Sequence, residues 1–361
     1  MAEPRLARQA AVRTRLAERH LEVLLVTHLP NIRWLTGFTG SAAILVLTPE
    51  RARLFTDFRY AVQAPQEAGT VADVQVERAS VWGRVRGLLR ERGWGRIGFE
   101  GHLLPAREAD RLRGELSGSL VDAGEVVEGL RQVKDADEVA AIRAAATLAQ
   151  DALAEVLPTV RVGERELDLA SRLEAALRRR GSEWHPFETI VASGPRSALP
   201  HARTTERRLA AGDLLLIDFG AKVGGYCADL TRMAVLGPAD EQQRTVHALV
   251  AAAQRAAREG IRAGMTGRDA DALARTVIEA RGHGEAFGHS LGHGLGLEVH
   301  EGPRLASTVE EPIPVGAVVT VEPGIYLPGW GGVRLEDDVW VGPDGPVLLS
   351  DGRTDLVELD I

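Results

Sequence analysis

The chain carries a single cysteine, Cys227, in 361 residues, which excludes an intrachain disulfide and suits a reducing compartment. No apolar run approaches the roughly 18 residues that signal a membrane span. The opening stretch, MAEPRLARQAAVRTRL, has no apolar core segment, so it is not expected to act as a secretory signal. Positive charge is not in excess either. A net charge of -8 leaves no electrostatic footprint for nucleic acid or an anionic membrane. Familiar catalytic signatures are missing. His300-Glu301 is followed by Arg304 where an HExxH motif needs its second histidine, and there is no P-loop and no GxSxG. Gly292, Gly294 and Gly296 imitate half of a dinucleotide fingerprint, but the third glycine in register and the preceding buried strand are absent. What remains is 45% hydrophobic and 26% charged, ordinary for a globular protein. The expectation is a soluble cytoplasmic enzyme of two domains.

The first third alternates strand-like and helix-like pieces. An Arg-rich amphipathic helix is expected over 3–20, strands at LEVLLV (21–26), SAAILVLTP (41–49), ARLFTD (52–57), VADVQVE (71–77) and RIGFE (96–100), and a helix over 81–92 that Gly93 ends. No catalytic motif falls in this part. A boundary near 122–135 divides the chain into an α/β domain at 1–128 and a second domain at 129–361. In the second, Asp135 or Asp137 caps a long helix that stops at Pro158, and another helix over 164–180 ends at Gly181. Strands then dominate (ETIVASG, DLLLIDFG, GYCADLTRMAVL), followed by helices at 239–260 and 267–282 and by strands including AVVTVEP and GGVRLEDDVWV. Two of these stretches share a plan. In LLLIDFG…GYCADLTR and in VVTVEPG…GGVRLEDD, a strand ends in an acid, turns through glycine, and returns with another acid. Two such hairpins facing each other would aim four acids at one point.

Those acids are Asp218 and Asp229, eleven apart, and Glu322 and Glu336, fourteen apart, with His293 in the glycine-rich loop between the pairs. Carboxylates in apolar runs are costly to bury unless a cation meets them. Four of them with one imidazole make a ligand set for two divalent metals. Each also has a plainer explanation. Asp218 and Glu322 precede glycine turns and serve as turn formers, and Asp229 and Glu336 form structural pairs with Arg232 and Arg334. Period-two alternation puts Cys227, Asp229 and Thr231 on one strand face and Arg334, Glu336 and Asp338 on another. The glycines of HSLGHGLGLEVHE disfavour a helix, so His289 and His293 are not read as a helical zinc pair. His289 and His300 have local hydrogen bonding as their alternative role.

The segments HSLGHGLGLEVHEGP, TVEPGIY and GGVRLEDD resemble signature segments of the Xaa-Pro peptidases, prolidase and aminopeptidase P, with methionine aminopeptidase a more distant relative. The resemblance spans roughly residues 130–350 and includes the order and spacing of the five candidate ligands. NIRWLTGFTGS carries a weaker likeness to the creatinase/prolidase N-terminal domain. The family implies a pita-bread catalytic domain of α/β (α+β) class with pseudo-twofold symmetry. It implies that Asp218, Asp229, His293, Glu322 and Glu336 hold two metals, with Asp218 and Asp229 on one of them. His201 matches the substrate-pocket histidine, and His289 and His300 match histidines that contact the scissile peptide. Arg334 resembles an arginine that steadies the network beside Glu336, and Tyr326 stands at the family's usual place after the metal-binding glutamate. Arg304 resembles an arginine aimed at the carboxylate of a substrate proline, with a solvated loop residue as its alternative.

Two metals roughly 3.5–4 Å apart can share a water and acidify it. Glu322 is then the proton acceptor and His300 the oxyanion donor, while His289 orients the substrate. Mostly carboxylate ligands favour Mn²⁺, with Co²⁺ or Zn²⁺ able to replace it. The reading leans slightly to an Xaa-Pro dipeptidase over an aminopeptidase P acting on tripeptides or longer. A methionine aminopeptidase and a non-catalytic binding protein of the same fold are the remaining alternatives. The substrates would be short proline-containing peptides, and the family implies a homodimer.

Overall fold

The computed structural model describes residues 2–360 and divides into two compact units, Met1–Arg131 and Gln132–Ile361. The first begins with α1 (Ala2–Glu18), β1 (Val23–Val26), α2 (Leu29–Thr36), β2 (Ala43–Leu47) and β3 (Ala52–Asp57). It continues with α3 (Gln63–Ala68), β4 (Asp73–Glu77), α4 (Val81–Arg92), β5 (Arg96–Phe99), α5 (Ala106–Glu115), β6 (Ser119–Asp122) and α6 (Val126–Arg131). Its strands form one mixed sheet in the order β4-β3-β2-β1-β5-β6. Val23, Leu25, Ile44, Val46 and Phe55 meet Val85, Leu88 and Leu89 of α4 and Leu112 of α5 on one face. Leu24, Val26, Leu45, Leu47 and Leu54 are buried too. Burial of both faces is why these strands read as unbroken apolar runs rather than alternating ones.

The second unit repeats one plan. Its first half holds α7 (Ala136–Val156), α8 (Glu166–Arg179), β7 (Ile190–Ser193), β8 (Leu214–Phe219), the small pair β9 (Lys222–Val223) and β10 (Tyr226–Cys227), and β11 (Leu230–Leu236). Its second half holds α9 (Glu241–Gly260), α10 (Gly267–Glu279), β12 (Gly292–Gly294), β13 (Glu301–Leu305), β14 (Val318–Val321), the pair β15 (Gly324–Leu327) and β16 (Gly331–Arg334), β17 (Asp337–Gly342) and β18 (Gly345–Leu348). The terminal strand β19 (Val357–Leu359) returns to pair with β11, giving sheets β19-β11-β8-β7 and β13-β12-β14-β17-β18. In each half two helices precede a long antiparallel pair, β8/β11 or β14/β17, with a short hairpin inserted in its connection. This is the pita-bread arrangement with its pseudo-twofold repeat.

Capping fixes where the helices begin. Asp135, not Asp137, is the N-cap of α7, in a reciprocal box with Glu138, and Asp240/Gln243 and Thr266/Asp269 form the same box on α9 and α10. On β8, Leu215, Ile217 and Phe219 face the α7/α8 core, while Leu214 and Leu216 face the core of α9 and α10. A strand packed on both sides needs four apolar residues in a row, and that run delivers Asp218 at its end.

The two returning strands depart from the alternation read on the sequence. GYCADLTRMAVL is not one strand: β10 ends at Cys227 and β11 starts at Leu230, leaving Asp229 in the gap. GGVRLEDDVWV likewise splits after Arg334, with Glu336 between β16 and β17. Cys227, Asp229 and Thr231 therefore do not share one strand face, and neither do Arg334, Glu336 and Asp338.

Candidate metal centre

Thr231 and Glu336 form an isolated antiparallel bridge that joins the two hairpins at their broken points. The Glu336 backbone N–H donates to Thr231 O at 3.3 Å, and the Asp229 N–H donates to Asp338 Oδ2 at 3.2 Å. Each carboxylate-bearing gap is thus held by the other hairpin. Asp229, His293 and Glu336 each offer a ligand atom, and these atoms lie within 4.8 Å of one another. Glu322 adjoins this cluster, its Oε1 standing 3.3 Å from His293 Nε2, with Asp229 Oδ2 at 3.8 Å from the same nitrogen. Asp218 sits opposite Thr231 in the β8/β11 register, and its charge bears on Asp229, Glu322 and Glu336.

His293 lies on β12 because Gly292 and Gly294 flank it. A Cβ on Gly292 would stand 2.0 Å from Thr320 O, and one on Gly294 2.0 Å from Gly302 O. Only glycine lets neighbouring backbone come that close, so the glycines seat the strand rather than bend it. The ring is oriented by Nδ1, which meets Gly294 O at 3.0 Å. A carbonyl can only accept, so Nδ1 carries the proton and the Nε2 lone pair faces the acids, the arrangement a ligand histidine needs. Burial, with the neighbouring His300 ring, depresses the His293 pKa to about 4.

Electrostatics show what the cluster lacks. Burial raises the pKa of Asp218, and it raises Asp229 and Glu336 well above the ordinary carboxylate value, helped by repulsion from neighbouring acids: Glu336, Asp218 and Glu322 on Asp229, and Glu322 and Asp218 on Glu336. Glu322 is pushed to about 7, mainly by burial. Among the described residues, Arg334 is the one arginine that pairs with any of the four, through Nη2 to Asp218 Oδ2 at 2.6 Å. Asp218 Oδ1 is buried with no protein partner. One guanidinium against four carboxylates leaves negative charge uncompensated, and buried charge of that kind calls for a divalent cation. The donor set of oxygens with one imidazole nitrogen fits such ions.

The arginines are placed differently from the structural pairs read on the sequence. Arg232 pairs with Asp337 at 2.8 Å, not with Asp229, and donates to Glu336 O at 2.6 Å. Arg334 pairs with Asp218 rather than Glu336. It also donates to Tyr326 Oη at 2.9 Å and Thr231 Oγ1 at 3.0 Å. Tyr326, its pKa raised to about 12 by burial, lies 3.0 Å from His289 Nε2. His289 Nδ1 meets Ser290 O at 2.8 Å, so Nε2 accepts and the tyrosine hydroxyl donates. Both His289 nitrogens are therefore engaged by protein, where the sequence reading gave this residue a contact with the scissile peptide. Burial holds its pKa at about 4. His300 is exposed, with its ring centroid 4.3 Å from that of His293, and desolvation lowers its pKa. Exposed His201 bears electrostatically on Asp218, His289 and His300. Arg304, opposite His293 in the β12/β13 register, is exposed.

Sequence reasoning missed several supports. Asp271 and Arg275 pair four residues apart on α10, and Asp271 is buried. Asp271 accepts from Leu291 N at 3.0 Å, and Arg275 donates to the carbonyls of Phe287 and His289, fixing the loop that leads to His293. Asp337 gathers Arg232, Gln254, Arg258 and Ser350 behind Glu336. The acid doublet at 337–338 was the only visible signal of that hub.

Comparison with known proteins agrees with this geometry. Residues 140–343 match metallopeptidase family M24, and residues 8–133 match the creatinase/prolidase N-terminal domain. The chain belongs to metallopeptidase family M24. "Uncharacterized peptidase YqhT" of Bacillus subtilis (strain 168) is 38% identical over 340 residues, 94% of this chain and 96% of that protein. The structure of an Xaa-Pro dipeptidase from Bacillus anthracis superposes with a TM-score of 0.94 at 36% identity, covering 99% of this chain and 100% of the other. That of an X-Pro aminopeptidase from Thermotoga maritima MSB8 gives 0.90 at 34% identity, covering 98% and 99%. The family expected from the signature segments is the one found.

Proposed function

We propose that this protein is a metal-dependent Xaa-Pro peptidase that cleaves the bond before proline in short peptides, with Xaa-Pro dipeptides preferred. The observation that carries the reading is the convergence of Asp229, His293 and Glu336, with Asp218 and Glu322 beside them, on a fold shared with an Xaa-Pro dipeptidase. The donor count suits two ions, and the oxygen-rich set favours Mn²⁺ over Co²⁺ or Zn²⁺. When bound, such ions supply an acidified water and a polarised peptide carbonyl.

The remaining work falls to side chains. Glu322, with a pKa near 7 before any cation is present, takes the water proton and passes it to the leaving proline nitrogen. His300, largely neutral at pH 7, offers a ring N–H to the developing oxyanion. His289, Tyr326 and Arg334 form a chain that ends on Asp218 and holds that carboxylate in place. His201 borders the substrate side of the centre. Proline has no N–H and a rigid ring, so a site that asks for no hydrogen bond from that nitrogen handles it where general peptidases do not.

Arg304 supports the dipeptide preference. Among the described residues no hydrogen bond or ion pair engages its exposed guanidinium, which is free to grip a carboxylate with two parallel bonds. The test compares Xaa-Pro with Xaa-Pro-Yaa. Dipeptides should be cleaved faster, and Arg304→Ala should raise KM for dipeptides alone. Faster cleavage of tripeptides, or an equal effect on both lengths, favours the aminopeptidase reading, which the Thermotoga maritima likeness also supports. A homodimer and a cytoplasmic location complete the proposal.

A further inference from the structure

We infer that Thr231 and Thr320 are positioning residues of the metal centre, each hydroxyl fixing one glutamate through a hydrogen bond of enforced direction. The inference rests on the metallopeptidase reading above. Both threonines are fully buried, Thr231 on β11 and Thr320 on β14. Arg334 Nε lies 3.0 Å from Thr231 Oγ1, and the backbone N of His293 lies 3.1 Å from Thr320 Oγ1. An N–H can only donate, so each hydroxyl oxygen accepts from it. Against an ionised glutamate, which can only accept, the single hydroxyl proton then goes to the other neighbour: Glu336 Oε2 at 2.6 Å for Thr231, and Glu322 Oε1 at 3.1 Å for Thr320. In each case one carboxylate oxygen is held, and for Glu322 it is Oε1, the oxygen that also stands 3.3 Å from His293 Nε2.

Thr231 is the stronger of the two. It links Arg334, and through it Asp218, to Glu336, so carboxylates from both hairpins are referenced to one hydroxyl. Its carbonyl also accepts from Glu336 N, which places main chain and side chain of the same residue against it. Groups that orient a metal ligand from behind typically contribute 10–100-fold in affinity. Neither threonine touches substrate in this scheme, and each acts through its glutamate.

Hydroxyl and packing roles separate because valine and serine err in opposite directions. Valine keeps the shape and loses the hydroxyl, while serine keeps the hydroxyl and loses a methyl. The experiment uses the full chain, stripped of metal and titrated with MnCl₂ by calorimetry, with thermal melts to confirm folding. T231V should weaken Mn²⁺ binding by about 10–100-fold and lower kcat more than it raises KM, whereas T231S should stay within about threefold of the parent. A T231V protein that binds Mn²⁺ as the parent does, or a T231S protein that is the worse of the two, overturns the inference. If T231V does not fold, the same ranking is read on T320V against T320S. Failure of the parent itself to bind Mn²⁺, Co²⁺ or Zn²⁺ would instead remove the metallopeptidase reading, a result distinct from equal binding by parent and variant.

Discussion

Glu322 is the side chain on which the chemistry of the proposed site turns, and its acidity can be read through stability. Its pKa rises from 4.5 to about 7 in the fold, chiefly through burial. A raised folded-state pKa contributes stability below the unfolded value and loses it as pH climbs through the folded value. Without metal, then, the parent should lose stability relative to Glu322→Gln between pH 4.5 and 7.5. The full shift corresponds to about 3 kcal/mol. Urea melts of the two metal-free proteins across that range check it, and parallel pH profiles would contradict it. At this scale much was legible. Acids at the ends of apolar runs are conspicuous, and the structure does gather Asp229, His293 and Glu336. What could not be read was which arginine meets which acid. Sequence spacing puts Arg334 beside Glu336, but Asp218 lies across the β8/β11 sheet, and only tertiary packing brings the guanidinium there.

The hairpins set where those side chains point, and their interruptions matter more than their regularity. Period-two reasoning assumes an unbroken pleat, so it cannot see the gaps at Asp229 and Glu336. The repeated strand–acid–turn–strand–acid plan was visible nonetheless, because it depends on order along the chain and not on register. β12 offers the sharpest test at this level. An alanine at Gly294 would drive its Cβ into the carbonyl of Gly302 and push β12 from β13. Gly294→Ala should lower the melting temperature of the metal-free protein and weaken Mn²⁺ binding by at least roughly tenfold, since His293 moves with the strand. Calorimetry reads the affinity and a thermal scan the stability. An unchanged affinity would show that the glycine is not what seats His293.

Taken whole, the chain joins two folded units, of which Gln132–Ile361 holds every candidate site residue. The sequence reading put a boundary near 122–135, where a β-rich opening gives way to a long capped helix at Asp135, but it did not show the pairing of β19 with β11, since a short C-terminal strand carries too little pattern to show its partner. The activity proposed for the whole molecule is metal-dependent cleavage before proline. The most direct measurement is hydrolysis of Xaa-Pro, Xaa-Pro-Yaa and Met-Ala-Yaa peptides by the parent supplied with Mn²⁺, by the parent treated with chelator, and by Asp229→Ala. Cleavage of Xaa-Pro bonds by the Mn²⁺-loaded parent alone, with Met-Ala-Yaa left intact, is the expected result. Cleavage of Xaa-Pro by the chelated protein or by Asp229→Ala, or a preference for Met-Ala-Yaa, would contradict it.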